Sequence, residues 1–282
     1  MLYHTFSTQQ EIDREYNPRF IVENTEELIK RFFSESQRVL REYSNFSSVA
    51  YGPSTAETLD IFPAARPCSP VHIFFHGGYW HAFMSEDFAF VAEGQVRNGV
   101  TTVLVNYGLC PLVDIDEIVR QSRSAVAWVY QNIETFGGNP DRITVSGHSA
   151  GGHLTGMLLN TDWKRDYDLP QNLIKGFLSL SGLFDLKPFP FSWLQSKLQL
   201  TPEQVSRNSP VLLKPKYKPP FIVAVGSDES HEFHRQSKNY AYFLEGHEVP
   251  AVYSIIPEKN HFNILFDFLG EGGPLCKKIL EW

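Results

Sequence analysis

Apolar residues in this chain recur in two spacings, and the two alternate. Six stretches are nearly continuous apolar runs: "PVHIFFHGG", "TTVLVNYGL", "DRITVSGH", "IKGFLSLSGL", "PPFIVAVGSDE" and "AVYSIIPEKNH". Such runs, ended by turn residues, predict strands buried on both faces of a sheet. Two shorter strands, "SSVAYG" and "ETLDIFPA", are predicted before them. Helical spacing fills the gaps, in "SEDFAFVAEGQVRNG", "DIDEIVRQSRSAVAWVYQNIETFG", "GGHLTGMLLNT" and "EFHRQSKNYAYFLEGH". Residues 9–43 also read as helical, with Leu28, Phe32, Val39 and Leu40 on one face and Asn24 or Thr25 as an N-cap.

Strands that alternate with helices imply right-handed crossovers, hence an α/β fold whose mainly parallel central sheet carries helices on both faces. Residues 183–220 interrupt the alternation. They are dense in Pro, Phe and Leu and predict short helices forming a small lid insertion over one end of the sheet. One domain over residues 1–282 is expected, since 282 residues suffice for one large core.

Composition narrows the partners. Apolar residues make up 42% and charged residues 20%, a globular balance. A net charge of −7, without a basic run, argues against nucleic acid and anionic membrane surfaces. Cys68, Cys110 and Cys276 are odd in number and far apart, so they predict unpaired thiols and no zinc site. The start, "MLYHTFSTQQEIDREY", lacks the features of a secretory signal, and no apolar run approaches membrane-spanning length. A soluble, cytoplasmic protein acting on a small molecule is expected, without metal or cofactor.

The candidate chemistry centres on "RITVSGHSAGGHL". Small residues crowd around Ser149 between a predicted strand and a predicted helix, as in the Gly-x-Ser-x-Gly turn that holds a serine hydroxyl out of a sheet. Serine needs a base, and the base an orienting acid, following in the order acid then base. Among the downstream histidines His153, His231, His234, His247 and His261, only His261 sits on a loop after the last strand. Asp228, the first carboxylate after the glycine at the end of "VAVGSDES", is the expected acid, with Glu229 second and Asp185 third. "FFHGGYW" ends a strand with glycines whose N–H groups can approach a substrate closely. The expected oxyanion donors are the N–H groups of Gly78, Tyr79 and Ala150, with His76 bracing the loop.

With those motifs in place, the chain resembles α/β-hydrolases near the hormone-sensitive-lipase branch, and more closely the kynurenine formamidases (arylformamidases). The family signature His-Gly-Gly-x-Trp appears as His76-Gly77-Gly78-Tyr79-Trp80. "EIDREYNPRF", "TLDIFPA", "GHSAGGHL", "SGLFDL", "LQLT", "RNSP" and "EFHRQSKNY" extend the likeness over about residues 11–263. The resemblance implies Ser149 as nucleophile, Asp228 as acid and His261 as base. It also implies hydrolysis of N-formyl-L-kynurenine to L-kynurenine and formate, a step of tryptophan breakdown. Trp80, Tyr79, Phe191 and Trp193 are expected to line the aryl side. Ser181, Asn208 and Ser209 are candidates for the substrate's amino-acid end. The alternatives are a carboxylesterase of the same fold acting on small acyl esters, and a catalytically silent hydrolase fold used for binding.

Overall fold

The computed structural model describes residues 1–282. All eight expected strands are present: β1 (Ser47–Ala50), β2 (Thr58–Phe62), β3 (Ser69–Phe75), β4 (Thr101–Val105), β5 (Gly138–His148), β6 (Ile174–Leu180), β7 (Phe221–Gly226) and β8 (Ala251–Ile256). They form one sheet in the order β1-β2-β4-β3-β5-β6-β7-β8. β1 and β2 pair antiparallel, as do β2 and β4, and every other neighbouring pair is parallel. The continuous apolar runs of β3 to β7 follow from this, because alternate residues enter cores on opposite faces; β8 departs from the expectation, since it is an edge strand that leaves Val252 and Ile255 exposed. Ile73, Val103, Val145 and Val223 pack into one core, and Phe74, Leu104, Leu178 and Ala224 into the other.

Helices Ile115–Asn132, Ala150–Leu159 and His231–Gly246 lie where helical spacing placed them. Residues 183–220 hold only short helical pieces, Phe189–Phe191, Gln195–Leu198, Pro202–Arg207 and Pro210–Leu212, anchored by buried Phe184, Leu186, Phe189 and Leu194. No helix is long and apolar enough to cross a membrane. The three cysteines are unpaired.

Residues 9–43 are helical in two pieces, Gln9–Tyr16 and Thr25–Glu42, separated by a 3-10 turn at Pro18–Phe20. Pro18 has no N–H to donate and disfavours helical backbone at the residue before it, so the first helix stops at Tyr16 and Asn17 is extended. This break supplies part of the site described below.

The chain runs from β3 to β4 on one side of the sheet and then crosses to β5 on the other side of β3. Such a reversal opens a crevice at the carboxyl ends of the two central strands, where ligands of open α/β sheets bind.

Candidate active site

Ser149 stands between β5 and the helix Ala150–Leu159, with φ 56° and ψ −115°. Side-chain-bearing residues seldom occupy that region, so the turn is strained. Its neighbours must be glycine for steric reasons. A Cβ at Gly147 would lie 2.1 Å from the Gly151 carbonyl oxygen, and one at Gly151 would lie 1.9 Å from that of Phe75. The Ser149 N–H donates to the Leu180 carbonyl at 2.8 Å, fixing the turn to the end of β6. The hydroxyl enters no hydrogen bond with the protein and lines a cavity of about 200 Å³ that His261 also lines.

His261 lies on the loop after β8, its ring packed between His148 (centroids 4.7 Å apart) and Phe233 (4.6 Å). Its Nδ1 is 2.7 Å from Glu229 Oε2. A carboxylate can only accept, so Nδ1 carries the proton and Nε2 keeps its lone pair. The Glu229 side chain is 1% exposed. Its other oxygen accepts from the Ser181 hydroxyl at 2.5 Å and from the Gly226 N–H at 2.8 Å. The acid beside His261 is therefore Glu229, and the expectation of Asp228 is corrected. Ser227 and Asp228 are the central residues of a turn closed by the Glu229 N–H donating to the Gly226 carbonyl. The Asp228 side chain points to solvent and accepts only from the Ser227 hydroxyl, whereas Glu229 is returned toward the sheet. Turn centres favour Asp and Ser, and that preference marks Asp228 as a turn residue. Asp185 lies elsewhere, accepting from the Tyr3 hydroxyl.

His148 donates from Nε2 to the His261 carbonyl at 2.7 Å. Burial first, and then the neighbouring His261, hold its pKa well below the ordinary value. A neutral ring there adds no repulsion when His261 takes up a proton.

The loop after β3 faces the same cavity. Gly78, Tyr79 and Trp80 all have positive φ (111°, 49° and 58°). The N–H groups of Gly78 and Tyr79 donate to no acceptor in the protein. The loop is braced from behind: the Tyr107 hydroxyl donates to the His76 carbonyl at 2.7 Å, and His76 Nδ1 donates to the Gly77 carbonyl at 2.7 Å. The His76 and Tyr107 rings stack at 4.2 Å. Tyr79 lines the cavity with its ring, and its hydroxyl donates to the Tyr16 carbonyl. Ala150, the third expected donor, is the first residue of the helix that follows Ser149.

A family model described as BD-FAE matches residues 59–244. A kynurenine formamidase of Danio rerio is 32% identical over 255 residues, covering 88% of this chain and 85% of that protein. One of Salmo salar is 36% identical over 226 residues, covering 77% and 75%. The chain belongs to the BD-FAE and kynurenine formamidase families. Among solved structures, a proposed thioesterase from a Silicibacter species shares the α/β-hydrolase fold with a TM-score of 0.84 at 27% identity, over 96% of this chain and 99% of that one.

Within this member of the formamidase family, the remaining candidate residues divide. Trp193 and Tyr79 line the cavity. Trp80 does not: it is fully buried and donates from Nε1 to His153 Nδ1 at 3.3 Å. His153 in turn donates from Nε2 to the Asn208 carbonyl at 2.7 Å, so both are structural. Phe191 lies away from the cavity, in a surface hollow with Leu2 and Leu212. Its side chain follows a short 3-10 turn outward, which apolar character alone does not reveal. None of the three candidates for the substrate's amino-acid end lines the cavity. Ser181 binds Glu229, the Asn208 side chain donates to Asp116 at 2.8 Å, and the Ser209 hydroxyl donates to the Val205 carbonyl at 2.6 Å. Asn17, Pro18, Arg19 and His81 line the cavity instead. The signal that could have found the first three is the Asn-Pro pair inside an otherwise helical pattern.

The site rests on buried neutral histidines. Burial lowers His72 to about 3, and His76 and His153 to about 4. In the unfolded chain they titrate near 6.5, so between about 6.5 and 4 the unfolded state binds protons that the native state refuses. Their contribution is fully present above about 6.5 and is lost as pH falls toward 4, at up to about 1.4 kcal/mol per pH unit for each group. Urea unfolding at pH 5 is expected to show a clearly lower midpoint than at pH 7.5. Equal midpoints would mean that these rings are protonated in the native state.

Proposed function

We propose that this chain is a serine hydrolase that cleaves the formamide of N-formyl-L-kynurenine to L-kynurenine and formate. The observation that carries the reading is the hydrogen bond from His261 Nδ1 to buried Glu229, which leaves Nε2 as the base on the cavity that Ser149 lines. Ser149 Oγ attacks the formyl carbon while His261 Nε2 takes its proton, and Glu229 stabilises the imidazolium that forms. The carbonyl oxygen becomes an oxyanion, held by the N–H groups of Gly78, Tyr79 and Ala150, each worth about 3 kcal/mol in such sites. His261 then protonates the aniline nitrogen as the C–N bond breaks, and kynurenine leaves. Water, deprotonated by His261, attacks the formyl-serine ester; the C–O bond breaks, the proton returns to Ser149, and formate is released.

Two features support the formamide reading. An arylamine leaves more readily than an alkylamine, and the formyl group is the smallest acyl group. Tyr79, Phe83 and Trp193 offer flat surfaces for the aryl ring. The test compares kcat/KM on N-formyl-L-kynurenine with that on a short p-nitrophenyl ester, following kynurenine absorbance and formate. A value higher by about 100-fold or more on the formamide, roughly 2.7 kcal/mol of transition-state preference, is expected. A preference for the ester would make the chain a carboxylesterase, and turnover of neither would leave the silent hydrolase fold.

A further inference from the structure

The cavity that Ser149 and His261 share has one permanently charged lining residue, Arg19. Its guanidinium enters no ion pair in the protein, and its backbone N–H donates to Asn17 Oδ1 at 3.1 Å. The rest of the wall carries no Lys, Asp or Glu, and Phe32, Phe83, Phe88 and Trp193 are its larger apolar members. We infer that Arg19 binds the carboxylate at the amino-acid end of the substrate, and so makes the enzyme selective for aryl formamides that carry an anionic group. The inference rests on the formamidase reading and adds the group that distinguishes the substrate from a plain aryl formamide.

The backbone that carries Arg19 is held in place. Pro18 fixes the backbone before it, and Asn17 caps both the preceding helix and the 3-10 turn, its own N–H donating to the Asp13 carbonyl at 2.8 Å. The strap that carries Arg19 is fastened to loops of the reacting centre on two sides. The Tyr79 hydroxyl of the oxyanion loop donates to the Tyr16 carbonyl, and the Ser230 hydroxyl, one residue beyond Glu229, donates to the Glu15 carbonyl at 2.6 Å. The exposed Arg19 side chain has no carboxylate of its own to give up when it pairs with a substrate anion. The planar guanidinium also matches a carboxylate in bidentate geometry. N-formyl-L-kynurenine carries its carboxylate at the end of the chain remote from the formamide, so an enzyme that holds the formyl group at Ser149 needs its cation elsewhere on the wall.

The experiment measures kcat and KM for N-formyl-L-kynurenine and for formanilide, which has the aryl formamide but no carboxylate, with the full-length wild type, Arg19→Gln and Arg19→Lys. Arg19→Gln is expected to raise KM for N-formyl-L-kynurenine by about 10- to 100-fold with kcat nearly kept, as for loss of one charge-assisted hydrogen-bonded pair. Its kinetics on formanilide should match those of the wild type, and Arg19→Lys should recover part of the loss. Equal kinetics of wild type and Arg19→Gln on N-formyl-L-kynurenine would overturn the inference and leave the formamidase reading intact. An equal loss on both substrates would also overturn it, marking Arg19 as a support of the fold. A wild type that cleaves neither substrate removes the formamidase reading and the inference together.

Discussion

Ser149→Ala is expected to lower kcat on N-formyl-L-kynurenine by about five to six orders of magnitude, with KM little changed. In serine hydrolases, loss of the nucleophile removes the covalent route and leaves only binding and oxyanion stabilisation, about 10³–10⁴-fold over water. This substitution is also unusually clean. Alanine keeps the Cβ of serine, so the strained backbone at φ 56° is no worse accommodated than before. The hydroxyl makes no hydrogen bond within the protein, so its removal leaves no buried partner unsatisfied. The thermal melt of the variant should therefore overlay that of the wild type, separating a catalytic effect from misfolding. Hydrolysis by Ser149→Ala within tenfold of the wild-type rate would exclude the acyl-enzyme route.

Most of the architecture that places this serine was legible in the sequence. Buried parallel strands need apolar residues on both faces, so β3 to β7 announce themselves as unbroken runs, whereas β8 has the same run at an exposed sheet edge. The turn around Ser149 is legible for a different reason: only glycine fits where the helix meets the ends of β5 and β3, so sterics write directly into the sequence. His261, the proposed base, was legible because one histidine alone combines chain order with a loop at a strand's carboxyl end. The aromatic lining was legible only in part. Trp80 and Trp193 are both large aromatic residues near the site, yet one is tied into the core by His153 and the other reaches the cavity. That difference is set by which way each backbone turns, and Trp80 sits at φ 58°. Arg19 was not legible, because it falls inside residues 9–43, which read as helical from Leu28, Phe32, Val39 and Leu40, although proline chemistry breaks the helix at Asn17-Pro18.

The choice between adjacent carboxylates gives the second large prediction, because a strand ending in Gly-Ser-Asp-Glu leaves two acids within reach of chain order alone. Glu229→Gln is expected to reduce kcat about 10⁴-fold at neutral pH, while Asp228→Asn stays within about twofold of wild type. Glutamine fills the same space, but its two ends are no longer equivalent. If its oxygen keeps the Ser181 hydroxyl and the Gly226 N–H, its NH₂ faces His261 Nδ1. The ring must then carry its proton on Nε2, where the base should be, and Ser149 has nothing to receive its proton. If the amide flips, the NH₂ opposes the Gly226 N–H, a buried donor against a donor. Either arrangement also removes the negative charge that stabilises imidazolium. Asp228 touches only Ser227 and solvent, so its amide changes none of these contacts. Comparing kcat for Glu229→Gln and Asp228→Asn, with melts to show both fold, decides the matter: inactivity of the Asp228 variant beside an active Glu229 variant would mean that the working enzyme rearranges this turn and brings the exposed carboxylate to His261.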